Sequence, residues 1–130
     1  MASFVDADAF VRWEKGEFDL PGWMESHLGE GEPALFPATV WQQLHYGVYA
    51  WEAKRAAKRS RFLSLIRASV VSFSRRHAVR AAQLAAELKA EDIGVADFQV
   101  AATVIEDGGE LLTFNRDHFE RLPALRLVDV

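Results

Sequence analysis

Short apolar, β-prone runs alternate with helical stretches from one end of this 130-residue chain to the other. Ser3-Phe4-Val5 opens the pattern, ends at Asp6 and precedes a helical stretch from Ala9 to about Lys15. Pro21, Gly22, Gly29, Gly31 and Pro33 break the next region into a loop around one short helix near Trp23–Leu28. Ala34-Leu35-Phe36 reads as a second strand stopped by Pro37, and a long helix from Ala38 carries Trp41, Leu44, Val48 and Trp51 at helical spacing. Phe62, Leu63, Leu65 and Ile66 mark another helix packed on it, and Val70-Val71 with Phe73 a third strand. His77–Leu88 and Val95–Ile105 read as helices, the first ending near Gly94 and the second at Gly108-Gly109. Glu110–Thr113 is a fourth strand, Asn115–Phe119 a helical turn and Leu125–Val128 a last strand. This alternation predicts an α/β sandwich around a mostly parallel sheet. With no repeat, linker or low-complexity segment, one domain over residues 1–130 is expected.

The absence of cysteine excludes disulfides, thiolate metal sites and cysteine nucleophiles. Met1 to Val11 carries Asp6 and Asp8 and no basic run, unlike a signal peptide, and no stretch approaches the ~18 apolar residues of a membrane span. A cytoplasmic protein with no membrane partner is the expectation. The net charge of −4 hides a segregated distribution. Lys54, Arg55, Lys58, Arg59, Arg61, Arg67, Arg75, Arg76 and Arg80 fall in one segment without a single Asp or Glu. The first 53 residues hold nine acids against two bases, and the last 50 ten against four. A polarised field of this kind suits phosphate as a partner, and a solvated helix face is the plain alternative.

In open parallel sheets, ligands bind beyond the carboxyl ends of the strands. Asp6 falls there, as does Thr113, with Asn115 and Asp117 just beyond it. Asp97 begins a helix whose Val100, Ala101 and Val104 share its face, so its carboxylate lies in line with a buried stripe. Carboxylates converging at one sheet edge repel unless a divalent cation neutralises them, and Mg²⁺ or Mn²⁺ takes such oxygen ligands. Structural roles compete: Asn115 is a good N-cap with Asp117 in the first turn, Asp8 can cap the first helix, and Asp97 suits a helix N-terminus. Asp6 has little structural excuse in a strand. His27, His45, His77 and His118 show no metal-binding spacing and read as surface or packing residues.

The order of these motifs resembles the PIN family, specifically the VapC toxins of bacterial toxin–antitoxin pairs. Phe4-Val5-Asp6-Ala7-Asp8-Ala9-Phe10 is similar to the family's apolar strand followed by D-T-N. Pro37 to Gly47 resembles its second motif, where a Glu precedes Leu-x-x-Gly. Ile93 to Ala102 resembles the third, in which Asp is followed by an apolar residue and Ala-Ala, and Leu111 to Leu125 the closing segment. The resemblance implies a three-layer α/β/α sandwich and an acidic pocket holding Mg²⁺ or Mn²⁺. It implies hydrolysis of an RNA phosphodiester by metal-activated water. It also implies a cognate antitoxin and a homodimer. Asp6 and Asp97 match the first and third acids, Asn115 or Asp117 the fourth, with Asp8 and Thr113 as further candidates. Lys54, Arg55, Lys58 and Arg59 are the expected RNA contacts.

The second acid falls on Gln43, which keeps the shape of Glu without its charge. An amide offers a carbonyl oxygen to a metal or a water but cannot act as general base. Three readings stay open: a natural variation with weakened catalysis, an inactivating change made so that a toxic protein could be produced, or a member that binds rather than cleaves.

Overall fold

Five strands hydrogen-bond into one all-parallel sheet in the computed structural model, which describes residues 1–130. They are β1 (Ser3–Val5), β2 (Ala34–Pro37), β3 (Ala68–Val71), β4 (Glu110–Leu112) and β5 (Arg126–Leu127), ordered β3-β2-β1-β4-β5. Parallel neighbours cannot be joined by hairpins, so helices fill the crossovers. These are α1 (Ala7–Glu14), α2 (Leu20–His27), α3 (Ala38–Ala50), α4 (Ala53–Leu65), α5 (Arg75–Leu88) and α6 (Val95–Glu106), with α7 (Arg116–Phe119) before β5. The result is the expected α/β/α sandwich. Strands covered on both faces read as continuous apolar runs rather than alternating ones. Accordingly Phe4, Val5, Phe36, Leu111 and Leu112 are all buried, whichever way their side chains point.

β1 lies at the centre of the sheet, with Phe4 opposite Leu35 on one side and Leu111 on the other. The chain leaves β1 straight into α1, so whatever residue ends this strand is fixed by the most buried part of the molecule. α6 supports the same region from one face. Phe98, Val100, Ala101, Ala102, Thr103 and Val104 are buried along it, which is why the segment looked apolar almost all round.

α3 and α4 form a helical hairpin broken only by Trp51 and Glu52, where the sequence shows neither glycine nor proline. The Glu52 carboxylate caps α4 by accepting from the Lys54 and Arg55 N–H groups (3.0 and 2.7 Å). Gly47 is required on α3 because a Cβ there would stand 2.8 Å from the Trp51 ring. Arg59 corrects the expectation that it meets RNA. Its side chain is buried, its Nε and Nη2 donate to the Glu14 carboxylate (2.6 and 2.7 Å), and its Nη1 donates to the Leu44 carbonyl (2.9 Å). It locks the α3–α4 hairpin to α1. No helix is long and apolar enough to cross a membrane.

Candidate active site

Asp6 stands one residue past β1, and its N–H still donates to the Leu112 carbonyl (3.0 Å), extending the β1–β4 ladder. That bond holds its carboxylate at the carboxyl edge of the central strand, and the residue is only 7% exposed. Oδ1 accepts from the Ala7 N–H (2.9 Å), making Asp6 the N-cap of α1 and giving it the structural role its strand position had argued against. Oδ2 accepts the Thr113 hydroxyl proton (2.8 Å). Asp8, in the first turn of α1, accepts from the Phe114 N–H (3.1 Å) and lies 3.3 Å from the same hydroxyl. A hydroxyl has one proton to give, and the shorter contact assigns it to Asp6. Thr113 in turn accepts from the Asn115 N–H (3.0 Å). One buried threonine therefore joins the ends of β1 and β4 through three polar residues.

The electrostatics follow from this crowding. Burial, then the Asp8 charge, and more weakly the Asp97 charge push the Asp6 carboxyl up to about 7, against the Thr113 and Ala7 hydrogen bonds. Burial also raises Asp8, opposed by the Phe114 and Thr113 hydrogen bonds and by the Arg12 charge. Two carboxylates at one strand end hold their negative charge poorly without a counterion.

Asp97 sits in the first turn of α6, half-buried, and its Oδ2 accepts from His118 Nδ1 at 2.8 Å. A carboxylate cannot donate when ionised, so the ring proton lies on Nδ1. The Asn115 side chain lies 3.0 Å from the same nitrogen, whose proton goes to Asp97, and does not cap α7. The structure thus brings Asn115 to the site and leaves Asp117 exposed on α7, away from these bonds. His118, one of four histidines expected to be surface or packing residues, is hydrogen-bonded to the candidate-site Asp97. No spacing rule could find it, because its partner lies 21 positions away. His77 is buried and structural: its Nδ1 accepts from the Ser74 N–H and its Nε2 donates to Asp107 (both 2.9 Å). Gln43 is exposed on α3 and lines a 920 Å³ cleft with Thr39, Val95, Ala96 and Gln99. Thr39 donates to Gln99 (3.0 Å), tying α3 to the helix that bears Asp97.

No three His, Asp or Glu side chains gather into a ready metal cage. The donor chemistry fits Mg²⁺ or Mn²⁺: the clustered groups are hard oxygens, and the Asp6 carboxyl is raised by burial and by the Asp8 charge. His118 fixes the direction of the Asp97 carboxylate as outer partners of metal ligands do. His118→Ala is expected to weaken Mg²⁺ binding by about 10- to 100-fold in a calorimetric titration. Unchanged affinity would show that Asp97 needs no such support.

These features define a class: an α/β/α protein whose carboxylates collect at the carboxyl edge of an all-parallel sheet. Residues 3–125 match the family model described as PIN domain, and the chain belongs to the PIN-domain family. No curated protein matches it in sequence. Its fold is similar to a solved structure of VapBC2 from Rickettsia felis bound to a promoter DNA fragment (TM-score 0.84, 22% identity, covering 100% of this chain and 99% of that one). It is similar to DNA-bound VapBC from Salmonella typhimurium (TM-score 0.83, 19% identity, 99% and 98% covered). FitAcB from Neisseria gonorrhoeae is also similar (TM-score 0.70, 19% identity, 98% and 96% covered).

Proposed function

We propose that this chain is a VapC-type toxin, an Mg²⁺- or Mn²⁺-dependent ribonuclease restrained by a cognate antitoxin and paired as a homodimer. The buried Asp6 carboxyl, held at the sheet's carboxyl edge beside Asp8 and Asp97, carries this reading. The similar solved VapBC structures support the toxin–antitoxin assignment and the antitoxin partner. Asp6 and Asp97 would hold the ion, with Thr113 orienting the first carboxylate and His118 the second. A bound divalent ion supplies charge stabilisation at the phosphoryl oxygens and a more acidic water. The protein's part is to hold fixed oxygens on one side of the scissile phosphate, with a buried Asp6 carboxyl whose ionised form a cation would stabilise.

Gln43 favours a second reading, a PIN-fold module that binds RNA or a partner and cuts poorly. An amide at the second acidic position brings no charge to the ion and takes no proton from water. Gln43→Glu decides between them. A charge-assisted contact is worth roughly 1.5–3 kcal/mol, so the variant is expected to bind Mg²⁺ or Mn²⁺ about 10- to 150-fold more tightly. Cleavage of a structured RNA at one salt concentration should rise with it. A variant that binds metal no better and cuts no faster removes Gln43 from the acidic position.

A further inference from the structure

We infer that the exposed face of α4 is a track for the backbone of single-stranded RNA, built from Lys54, Lys58 and Arg61 and flanked by a stacked Arg55–Trp51 pair. Only the choice of RNA over another polyanion rests on the ribonuclease reading.

Fewer than half of the chain's 15 Lys and Arg side chains are ion-paired, and the unpaired ones concentrate on α4, with Lys15, Arg67, Arg75, Lys89 and Arg126 scattered elsewhere. Arg12, Arg59, Arg76, Arg80, Arg116 and Arg121 each face a carboxylate within ion-pair distance. Lys54, Arg55, Lys58 and Arg61 are exposed and have no such partner, and α4 contains no acid at all. Lys54, Lys58 and Arg61 recur at i, i+4 and i+7, so they form one stripe spanning roughly 10 Å of helix. Within the fold the stripe gains one cation–π contact, the Lys58 ammonium 5.9 Å from the Phe62 ring centroid, and no ion pair. Like charges four apart repel, and Lys54 and Arg55 occupy the first turn, where the helix dipole disfavours cations. A stripe that destabilises its own helix points to an anion outside the chain.

A row of cations also suits an acidic protein segment, and the aromatic element favours RNA instead. The Arg55 guanidinium lies 3.6 Å from the Trp51 ring centroid, and the buried Arg59 holds the same ring at 4.5 Å. Guanidinium planes and aromatic rings are the surfaces on which unpaired bases stack. The Arg59–Leu44 hydrogen bond sets the register of the hairpin, so the middle of α4 runs beside the turn of α3 that bears Gln43. The track therefore flanks the helix that supplies the second acidic position.

The test measures anisotropy of a labelled single-stranded RNA oligonucleotide on the full chain, in EDTA, across a salt series. The triple variant Lys54→Gln/Lys58→Gln/Arg61→Gln is expected to bind at least about tenfold more weakly at low salt. Its log–log salt slope should be shallower by about 2, at ~0.7 per phosphate contact. Its urea midpoint should stay or rise, since repulsion is removed. Arg75→Gln, at an exposed unpaired cation off this helix, should leave the slope unchanged. An unchanged slope in the triple variant, an equal loss in Arg75→Gln, or equal displacement of the RNA by polyglutamate would each overturn the proposal. Binding of the expected pattern by a chain that cuts no RNA keeps the track and sinks the hydrolytic reading.

Discussion

Replacing Asp6 by Asn is expected to stabilise the metal-free chain near pH 8 by on the order of 2–4 kcal/mol, and hardly at all near pH 4. The wild-type carboxyl loses its proton at 3.8 in the unfolded chain and only at about 7 in the folded one. Between those values the folded state holds a proton that the unfolded state has released. Wild-type stability therefore falls as pH rises from about 4 to about 7 and is level above that. Asn cannot ionise, so its variant lacks this loss. A gap of about three pH units at ~1.36 kcal/mol each sets the upper figure. Asn also gives up one of the two oxygens that accept from Ala7 and Thr113, which lowers the gain. Urea midpoints in EDTA from pH 4 to 8 check the difference. If both chains follow one curve, the Asp6 carboxyl is not held protonated by its surroundings.

Magnesium should reverse the order. An ion that binds only the folded wild-type chain adds about 2.7 kcal/mol at one hundred times its dissociation constant. The Asn variant lacks the charge that attracts it and should gain far less.

The parts of this molecule that could be read from the sequence are those fixed by local chemistry. Ser3-Phe4-Val5 and Leu111-Leu112 are apolar on both faces, and only a sheet covered on both sides needs that. Once the strands are placed, Asp6 and Thr113 fall at the carboxyl edge without further information. The α3–α4 break was less legible, because a glutamate side chain caps α4 where glycine or proline would have announced a turn. Strand ends shifted by a residue or two for a related reason. β3 begins at Ala68 because Ala34–Pro37 pairs with Ala68–Val71, and that partner lies 34 positions away. His118 was missed because its partner, Asp97, is supplied by another helix. The same holds for Arg59, which looks no different in sequence from the cations around it.

Glu14→Ala is expected to destabilise the protein by about 3–5 kcal/mol, the cost of leaving one member of a buried ion pair alone. The Arg59 and Glu14 side chains are 5% and 9% exposed and meet through two parallel hydrogen bonds. Removing the carboxylate strands a guanidinium that still donates to the Leu44 carbonyl and lies 5.6 Å from the Phe10 ring centroid. It cannot lose its proton to escape, and reaching water means breaking the α1–α4 packing, where Trp13 meets Phe62 edge-on at 4.7 Å. The pair itself contributes little net stability, because both charges were desolvated to form it. Glu14→Leu combined with Arg59→Met should therefore restore most of the loss, and a double-mutant cycle by urea unfolding measures the coupling. A Glu14→Ala chain within 1 kcal/mol of wild type would mean that Arg59 finds water without disturbing the hairpin, and would return it to the surface cations with which its sequence groups it.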